Sequence, residues 1–135
     1  MSQMQRMGTV EIRQVRMPED KIDLHMEDFV AAIARNGVFC ANALNADQAH
    51  IADCFAGRPR QGQAFDFGCG TWLPGRSGAP ELAGAVASLD CAVFAQHSAG
   101  SHEIFIGRVL GVISRALPPL LYWDRQYGKP HPLMQ

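Results

Sequence analysis

The sequence predicts a mostly β domain that carries two short helices. Three observations point to it. Residues 85–97 and 102–114 both have strand-like apolar patterning and are joined by the turn residues Ser98, Ala99, Gly100 and Ser101. Two segments have helical spacing, and each ends at a glycine, Gly37 and Gly57. Between Arg58 and Pro80 glycine and proline abound and no helical period survives.

The elements follow in chain order. In "TVEIRQVRM", Val10 and Ile12 alternate with Glu11 and Arg13, which predicts a short strand within residues 8–17. "MEDFVAAIARNG" predicts a helix. Phe29, Val30, Ile33 and Ala34 form its stripe, Glu27 and Asp28 favour its N-terminal end, and Gly37 stops it. "VFCANAL" (38–44) predicts a buried strand. Asn45 then caps a second helix, with Gln48 at capping-box spacing; Ala49, Ala52 and Phe55 or Ile51 supply the buried side, and Gly57 ends it.

The polar loop that follows is interrupted by Phe65, Phe67 and Trp72, each of which needs burial, a partner chain or a ligand. In residues 85–97, Leu89, Cys91, Val93 and Ala95 share one predicted face, and Asp90, Phe94 and Gln96 belong to the other. "HEIFIGRVLGVIS" is the return arm of a hairpin. A brief strand and a proline-rich tail close the chain.

A chain of 135 residues is one domain by size. Its net charge of -1 speaks against a nucleic-acid or anionic-membrane partner recruited by bulk electrostatics. The charged share of 19% suits a surface partly hidden in an oligomer. No stretch approaches the roughly 20 apolar residues of a membrane span, and "MSQMQRMGTVEIRQ" has no apolar signal core. Cys40, Cys54, Cys69 and Cys91 form no C-x-x-C pair, so they predict reduced thiols in a cytoplasmic protein and no zinc site.

The chemical candidates are few. His97 and His102 flank a tight turn and can converge, but two histidines without a third ligand make a poor metal site, so none is expected. Asp66-Phe67-Gly68 matches a kinase tripeptide by coincidence, because the other kinase signatures are missing. Neither a G-x-S-x-G elbow nor a phosphate-cradling loop occurs.

The second half carries more. Gly100, His102, Ile104, Phe105, Ile106 and Gly107 form a Gly-x-His-x-Ile-Phe-Ile-Gly hairpin. With it come "FAG" at 55–57, "GAPELAGA" at 78–85 and the terminal "LLYWDRQYG". Together these resemble the flavin reductase-like family, FMN-binding split-barrel proteins that include the reductase components of two-component flavin monooxygenases. The resemblance covers roughly residues 29–129, within a domain at 29–135 that follows an atypical segment at 1–28.

The resemblance implies a split β-barrel and a homodimer binding FMN or FAD near the subunit interface. It also implies hydride transfer from NADH or NADPH to the flavin, and a partner oxygenase that receives reduced flavin. His102 matches the family's hairpin histidine on the flavin and nicotinamide side and is the catalytic candidate. Gly100, Ser101, Phe65, Arg125 and Tyr127 are the further cofactor-binding candidates.

Two departures bear on cofactor binding. Residues 1–28 do not resemble the segment that supplies the family's first barrel strands and its grip on the flavin phosphate. Ala64, rather than the family's frequent Arg, precedes Phe65. The alternative expectation is therefore a shortened, non-catalytic split-barrel homologue that acts as a dimeric binding or interaction module. Residues 8–17 or a second chain would then cover the barrel's exposed edges. Gly100 is expected to let the turn bend, and Gly107 to admit a neighbouring backbone or ring.

Overall fold

The computed structural model describes residues 26–134. The strand expected within residues 8–17 lies outside them. Helix α1 (Met26–Asn36) runs into strand β1 (Val38–Ala43) through Gly37, whose positive φ of 69° turns the chain. Among its residues from 29 on, Ala32 and Asn36 are buried, while Ala34 is exposed. The predicted stripe was thus set one residue off at its C-terminal end, where Asn36 is buried by donating its side-chain amide to Ala32 O at 2.7 Å.

Helix α2 (Ala49–Phe55) starts one turn later than the capping-box reading places it. The reciprocal bonds exist: Asn45 Oδ1 accepts from Asp47 N at 2.7 Å, and Gln48 Oε1 accepts from Asn45 N at 3.0 Å. They close a turn ahead of the helix instead of its first coil. Gln48 and Asn45 then donate to Ala83 O and Gly84 O, at 2.9 and 2.7 Å. These outside acceptors explain why the cap became a tether. The buried side of α2 is Ile51 and Cys54, with Ala49, Ala52 and Phe55 half-buried.

Strands β4 (Ala87–Ala99) and β5 (His102–Ser114) form the predicted long hairpin, shifted two residues along its first arm so that Ser98 and Ala99, expected in the turn, pair within it, and with β1 they make an antiparallel sheet ordered β1-β4-β5. Register shifts between Asp90 and Cys91 and between Val93 and Ala95 interrupt the alternation expected in β4. Asp90 and Cys91 are consequently both buried, and the two-face assignment of residues 89–96 does not hold across the bulges.

The stretch predicted as a loop contains more order. A 3-10 turn, Phe67–Cys69, is followed by a small hairpin of β2 (Trp72–Pro74) and β3 (Pro80–Leu82). Three-residue strands are too short for a periodic signal, and two of their six residues are prolines, so the pattern could not reveal them. The closing stretch is likewise a hairpin, β6 (Leu121–Trp123) and β7 (Gln126–Gly128), not a single strand. Asp124 and Arg125 make its turn with φ of 50° and 61°, both positive as a two-residue type I′ turn requires.

Polar side chains hold the pieces together. Asn42 donates to Pro80 O at 3.1 Å and accepts from Leu82 N at 3.0 Å and Ser88 Oγ at 2.8 Å, stitching β1 to β3 and β4. Asp90 accepts from Ser77 N and Ser77 Oγ at 2.6 and 2.5 Å, which fastens the β2–β3 turn onto the sheet. The core centres on Ile51, Leu82 and Ala85. Beside it Phe55 meets Phe29, Phe67 and Trp72 edge-on, at centroid separations of 6.4, 5.4 and 5.9 Å. Phe67 and Trp72 therefore find the burial they need, and Trp72 Nε1 donates to Phe67 O at 2.8 Å. These rings border an apolar cavity of about 320 Å³ that also touches α1 and β1.

Candidate functional site

The candidate residues fall into two groups. The first is the tip of the β4–β5 hairpin. Ala99 pairs with His102, leaving Gly100 and Ser101 as a two-residue loop, and Gly100 takes φ of 61° as the bend requires. Gly100, Ser101 and His102 are exposed. Ser101 Oγ lies 3.0 Å from His102 Nδ1, and His102 Nε2 has no hydrogen bond among the described residues. His97 pairs with Ile104, so it lies diagonal to His102 on the same face, but no polar contact joins the two rings. Among the described residues no three His, Cys, Asp or Glu side chains converge as a metal site would need.

The two faces of the tip differ. His102, Ile104 and Ile106 share one, and all three are exposed. Glu103 lies on the other, where its carboxylate accepts from Ser98 Oγ and from Gln96 Nε2, the latter at 3.0 Å. The Ser98 hydroxyl first, then the Gln96 amide, holds the Glu103 carboxyl below its usual range.

Gly107 follows on the Glu103 face. A Cβ there would lie 2.6 Å from Phe39 Cζ and 2.9 Å from Cys91 Cβ. The close approach expected at this glycine is therefore made by a ring, Phe39 of β1, reaching across β4.

The second group gathers at the C-terminal end of α2. Phe65 has φ of 60°, uncommon for an aromatic residue, and is held by its N–H donating to Cys54 O at 3.1 Å. Its ring covers Gly57, where a Cβ would meet Phe65 Cζ at 3.4 Å. Tyr127 donates its hydroxyl to Asp53 Oδ1 at 2.7 Å, and Arg60 Nε donates to Asp53 Oδ2 at 2.7 Å. The Tyr127 hydroxyl, then the Arg60 guanidinium, lowers the Asp53 pKa, and Asp53 in turn raises that of Tyr127. Arg125 stands exposed in the β6–β7 turn, two residues before Tyr127.

Phe65 and Tyr127 are thus both tied to residues 53–57, whereas no hydrogen bond joins that corner to the hairpin tip among the described residues. Asp53 and Arg60 were missed in the sequence. They are seven positions apart on either side of a helix end, and no spacing rule connects them to Tyr127. The cysteines are free, and burial pushes Cys40 and Cys69 up to about 12, so neither is a nucleophile near neutral pH.

Residues 23–131 match the flavin reductase like domain. The chain therefore belongs to the flavin reductase like family. Among similar curated proteins, an FMN reductase (NADH) RutF 1 of Methylorubrum extorquens is 39% identical over 98 residues, covering 72% of this chain and 48% of that protein. An FMN reductase (NADH) RutF of Variovorax paradoxus is 35% identical, covering 71% of this chain and 53% of that protein. The chain spans about half the length of these relatives.

Among solved structures, the Streptomyces globisporus C-1027 NADH:FAD oxidoreductase SgcE6 superposes with a TM-score of 0.65 at 29% identity, covering 84% of this chain and 65% of that one. BorF, the flavin reductase component of a bacterial two-component tryptophan halogenase, superposes at 0.64 with 33% identity, covering 75% of this chain and 64% of that one. The mostly β, split-barrel expectation with two helices stands.

The residues present meet the needs of a flavin in part. The tip offers an exposed hydroxyl and an unpaired imidazole nitrogen beside apolar Ile104 and Ile106, suited to the polar rim and flat face of a ring system. The Tyr127 hydroxyl is committed to Asp53, so Tyr127 offers its ring and not its oxygen.

Proposed function

We propose that this chain is an NAD(P)H-dependent flavin reductase, residues 29–135 forming the domain that acts on FMN or FAD in a homodimer. The observation that carries this reading is the hairpin tip, where Gly100 and Ser101 present His102 with Nε2 directed to no partner among the described residues. It is supported by relatives named FMN reductase (NADH). Flavin held there would supply a two-electron acceptor for the hydride of NADH or NADPH.

The chain's residues orient and shield. His102 would hydrogen-bond a polar edge of nicotinamide or flavin, and Ile104 and Ile106 would offer apolar cover that keeps water away. The Phe65 ring, which covers Gly57, would offer an apolar surface to flavin at the α2 corner. Arg125 would supply positive charge for a phosphate, and Tyr127 holds the hairpin that carries Arg125. A partner oxygenase would take up the reduced flavin, as the place of BorF in a two-component tryptophan halogenase suggests. The four free cysteines suit a cytoplasmic setting.

The test is NADH oxidation by the purified protein with and without FMN. A rate that rises with FMN supports the reading, and no flavin-dependent rate with FMN or FAD sinks it. One observation favours a second reading: the apolar cavity lies beside β1, whose outer edge pairs with no strand among the described residues. A non-catalytic dimeric module with this shape would leave FMN fluorescence unquenched.

A further inference from the structure

We infer that Ser101 is a positioning residue that sets the tautomer of His102, its hydroxyl donating to Nδ1 so that the ring proton resides on Nε2. The inference rests on the reading of the hairpin tip as the nicotinamide side. The Ser101 hydroxyl at 3.0 Å is the one polar side chain in contact with the imidazole among the described residues. Glu103, next in sequence, is turned to the opposite face and held there by Ser98 and Gln96, so it does not compete for the ring. The strands fix His102 by its pairing with Ala99, and the tight Gly100–Ser101 loop keeps the hydroxyl beside the ring.

A serine hydroxyl can donate or accept, and the chemistry opposite Nε2 decides between the two. Among the groups that approach in hydride transfer are acceptors, namely the carboxamide oxygen of nicotinamide and the rim oxygens and nitrogens of a flavin gaining negative charge. A donor at Nε2 complements both, whereas a lone pair there would repel them. With Ser101 donating to Nδ1, the neutral ring is that donor.

Long-range proton–nitrogen correlation of the five histidine rings measures the tautomer directly, with His102 assigned by its loss in His102→Gln. In the neutral wild-type ring, Nδ1 is expected to be unprotonated and Nε2 protonated. Ser101→Ala should move the Nδ1 resonance toward a mixture of tautomers, and Ser101→Thr should restore it. A proton on Nδ1 in the wild type, or an Nδ1 resonance unmoved by Ser101→Ala, overturns the inference.

The kinetic arm reads kcat/KM for NADH with FMN. Loss of one orienting hydrogen bond predicts a fall of about fivefold in Ser101→Ala, recovered in Ser101→Thr. An unchanged value overturns the positioning role. If the wild type shows no FMN-dependent NADH oxidation, the functional reading fails, and the ring-proton measurement still decides the tautomer.

Discussion

At Gly107 a missing side chain is what the fold requires. Phe39 lies across β4 with its Cζ 2.6 Å from where a Cβ would stand. Gly107→Ala should therefore destabilise the protein by about 1–3 kcal/mol through overpacking. Chemical denaturation would read this as a lower midpoint, and Phe39→Leu in the same chain should recover part of the loss. An unshifted midpoint would mean that the ring moves aside without cost. Glycine within an apolar run signals a close approach, but only the β1-β4-β5 order shows that the approaching group is Phe39.

Asp53 carries a pH dependence whose sign follows from its partners. Its folded pKa lies below the ordinary 3.8, mainly because Tyr127 donates to it. Its contribution to stability is therefore present above that value and lost as pH falls through the folded pKa. Tyr127 is raised above its ordinary 10.0, so the same bond contributes below that value and is lost as pH rises through the folded pKa. Melting temperature against pH should fall less steeply below about pH 4 in Asp53→Asn than in the wild type. Tyr127→Phe should flatten both limbs. Glu103, also lowered, adds to the acid limb in all three proteins. A wild-type profile that overlays Asp53→Asn would deny the network any role.

Among the elements, the closing hairpin allows two roles of one residue to be separated. Arg125 occupies the left-handed region at φ of 61°, at a cost of about 1–2 kcal/mol for a side chain with a Cβ. Arg125→Gly should raise the melting temperature by relieving that strain, and weaken FMN binding in a fluorescence titration if the guanidinium meets a phosphate. Higher stability with unchanged FMN affinity would remove Arg125 from the site. The Asp-Arg turn escapes sequence reading because neither residue is followed by the glycine that usually marks a type I′ turn. The long β4–β5 hairpin was legible because both arms have 13 residues and a Gly-Ser loop.

For the whole molecule, the decisive feature is an open sheet. The outer edge of β5 pairs with no strand among the described residues, and its Val109 and Val112 are exposed along with Ile104 and Ile106. An edge that long and apolar invites another strand or another chain. The homodimer in the proposed function predicts twice the chain mass in sedimentation, and Val112→Lys, at 61% exposure, should shift it toward the monomer without unfolding it. A wild-type monomer at micromolar concentration would remove the dimer from the proposal.

What the sequence by itself determined is local: where the helices stop, that residues 102–114 return against residues 85–97, and the string of residues that places the chain in its family. These depend on periodicity, turn residues and motif order, all written in neighbours along the chain. Only the tertiary structure decided that Tyr127 is bound to Asp53, that Asp90 anchors the β2–β3 turn, and that Glu103 turns away from His102. Those contacts join residues up to 74 positions apart or depend on which strand face a bulge selects. A hydrogen bond between distant residues leaves no period in the sequence, because its geometry exists only once the sheet, its register and its bulges have formed.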